Sequence, residues 1–308
     1  MRRYLINLSY IGTGFRGIQR QTPSVDIDDP TTIQGQIEMG LKLLKPSYMS
    51  SCAVSSRTDA GVHALHTTLH VDLTRPNNEP YDPKTITIQL NKKFSKSFLP
   101  IRILSTYLVP NTFHCRREAL SRTYMYRLCV IKYNGLIRNT LDKLIPIEEH
   151  NRAYFICCND FDIDKAKDAC KLFEGLHDFR TFMGRGSKQQ NKITRKVVEK
   201  LDIIDEGHRF YTNFSWPNCI NQNESDYKFY NIYCKGNAFV YNQVRRTVAA
   251  LIAAAQGKVS TRDIKFMLEV PSHHSWDPRI KTVPAHGLYL CEVSYSETDR
   301  GTFHEGSV

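Results

Sequence analysis

The opening residues alternate. Tyr4, Ile6, Leu8 and Tyr10 place an apolar or aromatic side chain at every second position, which predicts a β-strand. A Gly-rich stretch, Gly12 to Gly17, and a polar link, SVDIDDP, interrupt the pattern. Thr31-Thr32-Ile33-Gln34 has the form of a capping box. Ile33, Ile37, Leu41 and Leu44 then recur at helical spacing, so a helix is expected there. Strands are predicted on both sides of the link SSRTDAGVH, the second carried by HTTLHVDL, and strand patterns return over residues 107–133. Asp162 or Asp164 should cap a helix whose inner face is Ile163, Ala166, Cys170 and Phe173. Strands are expected near residues 197–204, 208–216 and 227–235, with exposed polar loops at 184–192 and 217–226. Val244, Val248, Leu251, Ile252 and Ala255 mark a buried helix starting just after Phe239, and residues 287–295 a last strand. Strands grouped around a few helices, without regular β-α-β alternation, predict an α+β fold of mostly antiparallel sheet. The expected organisation is an N-terminal lobe over 1–106, a C-terminal lobe over 107–296 and a tail over 297–308.

Size supports two lobes, since 308 residues exceed what one compact core usually organises. No apolar run approaches the ~20 residues that span a bilayer. The longest, AALIAAA, suits a buried helix, and a soluble chain with no membrane partner is expected. Lys and Arg outnumber Asp and Glu by 42 to 31, for a net charge of +11. Such a surplus favours a phosphate-rich partner, because bound cations release the counterions condensed on nucleic acid. The nine cysteines include no CxxC pair, which suggests free thiols in a reducing, intracellular compartment, mitochondrial or cytoplasmic. Gly12-Thr13-Gly14-Phe15-Arg16-Gly17 fits G-x-G-x-x-G, but IQRQTPSVDIDDP follows it with no helical period, so no helix N-terminus waits for a pyrophosphate. His63, His66 and His70 would be scattered by a strand, and no HExxH or Cys/His ligand set accompanies them. Neither a metal nor another cofactor is expected. No G-x-S-x-G is present to support a serine hydrolase.

What survives is the link itself. A turn uses a Gly and an Asp but needs neither Arg57 nor His63. A carboxylate held beside a guanidinium stays ionised and aimed, as a nucleophile or base requires, which singles out Asp59. Arg57-Thr58-Asp59-Ala60-Gly61-Val62-His63 resembles the R-T-D-x-G-V-H signature of the TruA-type tRNA pseudouridine synthases. Further motifs follow in order from Tyr10 to Leu288. The stretch from Tyr10 to Gly17, with Gln19 and Gln21 after it, is similar to the family's opening Y-x-G-x-x-[FY]-x-G. Phe113-His114-Cys115-Arg116 resembles F-H-A-R with Cys for Ala, a small-for-small change of little expected effect. Arg122, Tyr124 and Tyr126 match R-x-Y-x-Y, and Gly175 to Phe182 matches G-x-H-[DN]-F-x-x-F. Asn237-Ala238-Phe239 leading to Val244-Arg245 matches N-x-F-x-x-x-x-V-R, and Ala285-His286-Gly287-Leu288 matches A-x-G-L. The pattern most resembles the animal pseudouridine synthase-like branch.

The resemblance implies that Asp59 is the catalytic aspartate, that Tyr124 stacks on the target base and that Arg245 pairs with the aspartate. It implies a homodimer with a cleft along each lobe pair, and tRNA, with other RNA also conceivable, as partner. Isomerising uridine neither gains nor loses an atom, which agrees with the expectation of no metal and no cofactor. Arg57 would act on the substrate backbone or hold the loop. Arg16, Gln19, Arg20, His114, Arg116, Arg122 and Arg246 would suit RNA contacts. The competing reading is a non-catalytic RNA-binding protein on the same scaffold, which would have no use for the aspartate. A nuclease would need paired acidic metal ligands, which the sequence lacks.

Overall fold

The computed structural model describes residues 1–22, 27–132, 145–184, 193–207 and 227–304. By residue contacts the chain divides into two compact units, Met1–Thr123 with Tyr289–Val308, and Tyr124–Leu288. This division differs from the expected boundaries at 106 and 296, because pairing rather than chain order decides membership. The last strand returns to pair in the first unit.

In the first unit, β1 (Arg2–Tyr10) leads through the Gly-rich loop to α1 (Ile33–Lys42). Two short strands, β2 (Tyr48–Met49) and β3 (Ala53–Val54), precede the long β4 (His63–Thr74). Then come α2 (Pro83–Lys96), β5 (Ile101–Val109) and the first residues of β6 (Ser121–Ile131). β1 lies between β4 and β5, antiparallel to both, with Ile6 opposite Leu69 and Thr106. Tyr4, Ile6 and Leu8 are fully buried, as their alternation predicts, but Leu5 is buried too. A strand paired on both edges and covered on both faces loses its exposed side.

α1 buries Ile33, Ile37 and Leu41 completely, with Leu44 half-buried beyond its end. The expected capping box is only half present. Thr32 accepts the Gly35 N–H at 3.2 Å, but N3 is a glycine and has no side chain to reach back. α2 starts on Asp82, whose carboxylate accepts the N–H groups of Lys84 and Thr85 ahead of Pro83 at the first helical position.

The second unit continues β6 and adds β7 (Tyr154–Cys157), α3 (Ile163–Phe173), β8 (Gly175–Asp178), β9 (Arg195–Gly207) and β10 (Tyr227–Gly236). α4 (Gln243–Ala255) and α5 (Thr261–Glu269) follow. β11 (Leu288–Ser294) and the short α6 (Glu297–Gly301) then complete the chain's elements. β7 pairs parallel with β6, while β8, β9 and β10 pair antiparallel in turn. Asp162 caps α3, and Ala166, Cys170 and Phe173 form its buried face, with Ile163 half-buried. α4 is buried along almost its whole length, from Val244 to Ala255, as an alanine-rich helix packed against α3. The α+β class with mostly antiparallel pairing is as expected. The strand expected at 208–216 and the loop at 217–226 lie outside the described residues, as does nearly all of the loop at 184–192.

Candidate active site and RNA-binding residues

The long edge of β4 explains where Asp59 sits. One edge is taken by β1. On the other, β3 pairs antiparallel at Leu69 and His70, and β11 pairs parallel at His63 and Ala64. The link 55–62 leaves the sheet where the edge partner changes from β3 to β11. Its start is tied down by Ser55, whose N–H and hydroxyl both donate to the Thr68 carbonyl, at 3.0 and 2.8 Å. Its end closes as a turn in which the Val62 N–H donates to the Asp59 carbonyl at 3.1 Å, with Gly61 at φ +78°. That φ is open to glycine and strained for other residues.

The Gly-rich loop is the second support. Tyr10 and Thr58 share a hydroxyl hydrogen bond of 2.6 Å, and the Ile18 N–H donates to the Thr58 carbonyl. The Gly12 N–H donates to His63 Nδ1 at 2.9 Å, and the His63 ring packs 4.6 Å from that of Tyr289. A Cβ on Gly12 would lie 1.9 Å from the Val62 carbonyl oxygen, and one on Gly17 2.8 Å from that of Thr58. The apparent dinucleotide fingerprint is therefore a loop whose glycines let it lie backbone to backbone on the aspartate link. Among the described residues no helix follows it until Ile33. The outcome is a buried Thr58 and His63 flanking a half-buried Asp59, with Arg57 exposed.

The cations expected on the RNA sort into two groups. Arg122 is buried and donates to the Ser56 hydroxyl and to the carbonyls of Ser55, Arg116 and Ala119, so it ties the aspartate link to the segment after Phe113. Arg20 pairs with Glu38 at 2.6 Å. The other Glu38 oxygen accepts from Gln34, Ser51 and the Cys52 N–H. Both arginines serve the protein itself. Arg246, also buried, donates to the Met183 carbonyl and lies 3.8 Å over the Trp276 ring, inside the second unit. By contrast, among the described residues no carboxylate pairs with Arg16, Arg57 or Arg116. Arg16 is exposed and Arg116 half-buried. Burial, and next the charge of Arg57, hold the Arg116 guanidinium below its usual pKa. Gln19, Arg20, His114 and Arg116 together line one cavity of the first unit.

The segment carrying His114 and Arg116 is fixed through its backbone. Arg3 donates to the Phe113 carbonyl, Tyr295 to that of Cys115, and the Cys115 N–H donates to His70 Nδ1. Cys115 does more than replace an alanine, since its buried thiol donates to the Ala53 carbonyl at 3.0 Å, and burial pushes its pKa up to about 12. His70, His114 and Cys115 bring three ligand-type atoms within 4.8 Å. Their lone pairs are already committed: His114 Nδ1 accepts the Arg116 N–H and His70 Nδ1 that of Cys115, while the thiol stays protonated.

In the second unit Tyr124 is 7% exposed, its ring 5.2 Å from Phe239 and perpendicular to it. Arg245 opens α4, half-buried. Its Nε donates to the Val283 carbonyl at 2.9 Å and an NH1 hydrogen to Asn242 Oδ1 at 3.0 Å. Gly287 is required by Tyr126, whose ring would be 2.6 Å from a Cβ there. Phe179 and Phe182 are core residues.

A family model described as tRNA pseudouridine synthase matches residues 169–296. The tRNA pseudouridine synthase-like 1 of Xenopus laevis is 30% identical over 306 residues, covering 98% of this chain and 94% of its own length. The chain belongs to the tRNA pseudouridine synthase family. The Homo sapiens tRNA pseudouridine synthase-like 1 is likewise 30% identical, over 95% of this chain and 90% of its own. The tRNA pseudouridine synthase A of Streptococcus pneumoniae is 29% identical over 96% of this chain and all of its own. Within this family the supports that sequence reasoning missed are Tyr10, Thr58 and His63. All three stood in the motifs, but their roles depend on the loop lying on the link, which spacing does not disclose.

Proposed function

We propose that the protein isomerises uridine to pseudouridine in tRNA, with Asp59 as the reacting carboxylate. Family membership over nearly the whole chain carries this reading. The aspartate link supports it, being over-determined by backbone hydrogen bonds that a binding module would not need. The reaction breaks N1–C1′, turns the uracil and joins C5 to C1′; the C5 proton is lost and N1 gains one. A carboxylate serves either by attacking C1′ or by taking a sugar proton. The target base leaves its stack to be reached, and Tyr124 is assigned as its stacking partner. Arg245 is assigned as the aspartate's cationic partner. Its contacts with Val283 and Asn242 fix the guanidinium plane and leave NH2 uncommitted among the described residues.

The test is incubation of the purified protein with uridine-containing tRNA transcripts, followed by mapping of pseudouridine. The wild type converts at least one position and Asp59→Ala converts none. Binding without product from the wild type would favour the non-catalytic reading, and undiminished product from Asp59→Ala would remove Asp59 from the chemistry. We further propose a homodimer, for which light scattering should give twice the 35.6 kDa chain mass.

A further inference from the structure

The cavity beside the aspartate link has an unequal charge balance. It encloses about 390 Å³ and is lined by Gln19, Thr22, Gln34, Ser51, His114 and Arg116, among others. This is within the range of small-ligand sites. Its Gln19 wall continues directly from Gly17 and Ile18, which touch Thr58, so it adjoins the Asp59 turn within one unit. One side is electrically closed. Arg20 and Glu38 neutralise each other, and Gln34 spends its amide on the Arg20 N–H, Glu38, Ser51 and the Cys52 carbonyl. The other side is open. Arg116 is half-buried without a carboxylate among the described residues, and Arg57 adds a second positive charge to its field. A half-buried guanidinium facing another cation is costly unless an anion completes it.

His114 adds direction. Its Nδ1 accepts the Arg116 N–H, so the neutral ring carries its proton on Nε2 and can only donate there. Burial and the nearby arginines keep it neutral.

We propose that this cavity is a subsite for a second nucleotide of the RNA strand, whose backbone phosphate is held by Arg116 with His114 Nε2–H donating beside it. The proposal rests on the RNA-modifying reading above. Arg20 and Arg122, although close, contribute no phosphate contact, because their donors are spent on the protein.

The test uses the full-length protein and a labelled tRNA transcript, with affinity measured across a salt series. Arg116→Gln should weaken binding about tenfold and reduce the slope of log affinity against log salt by about one, whereas Arg116→Lys should keep the slope. His114→Gln, which retains a side-chain N–H donor, should bind more tightly than His114→Ala. In a scan of short RNAs carrying a single neutral methylphosphonate, one linkage should weaken the wild type as much as Arg116→Gln does, and should not weaken Arg116→Gln further. An unchanged salt slope in Arg116→Gln, or methylphosphonate losses that simply add to the variant's, would overturn the subsite. Failure of the wild type to convert any transcript would instead overturn the underlying reading.

Discussion

At the scale of single residues, the aspartate link is held by close backbone approach. Replacing Gly12 with Ala places a methyl group inside the Val62 carbonyl, with no flexible side chain to give way. Gly12→Ala should cost roughly 2–4 kcal/mol, seen as a lowered chemical-unfolding midpoint, and pseudouridine formation should fall with it. His63 can be tested separately. His63→Phe keeps a ring against Tyr289 but leaves the buried Gly12 N–H without its acceptor, a loss of about 1–3 kcal/mol. The same assay reads it. Equal stability of His63→Phe and wild type would show that the Gly12 bond does not hold the loop.

At the scale of elements, caps add to helix stability. α5 begins with a complete reciprocal box, Ser260 and Asp263 each bonding the other's backbone N–H. Ser260→Ala should therefore cost about 1 kcal/mol in the unfolding midpoint, and Thr32→Ala at the one-sided α1 cap no more. These elements also mark how much was legible. α1, α3 and α4 were readable because their apolar residues repeat at helical spacing. α2 and α5 were not anticipated: Thr85-Ile86-Thr87-Ile88 alternates like a strand, and only Ile86, Leu90 and Phe94 of its interior are buried. The Asp82-Pro83 start was the signal that outweighed the β-branched run. The motifs that carry Asp59, Tyr124 and Arg245 were legible as a family resemblance, which the relatives bear out at the level of the family. The sorting of arginines was not, because Arg20 and Arg122 look like surface charge until Glu38 and the link carbonyls are placed beside them.

At the scale of the whole molecule, acid should weaken the first unit before carboxylate titration begins. His70 is 5% exposed, and burial, then Arg3 and His114, lower its pKa from 6.5 to about 4. The unfolded chain therefore takes up this proton first as pH falls. The stabilisation is complete above pH 6.5 and is lost between 6.5 and about 4, at up to about 1.4 kcal/mol per pH unit. His70→Asn should flatten that part of a stability-against-pH curve measured by denaturant unfolding. The strand order has another consequence, one of timing. β4 receives its parallel neighbour at His63 only from Tyr289, which the ribosome makes after the entire second unit. At roughly 5–20 residues per second, the strand that follows the Asp59 turn waits on the order of ten seconds or more for its last partner. A chain cut short anywhere in the second unit would leave that edge bare. Completion of synthesis is thus built into completion of the site, and a prematurely terminated product would be a target for proteolysis before it became an enzyme.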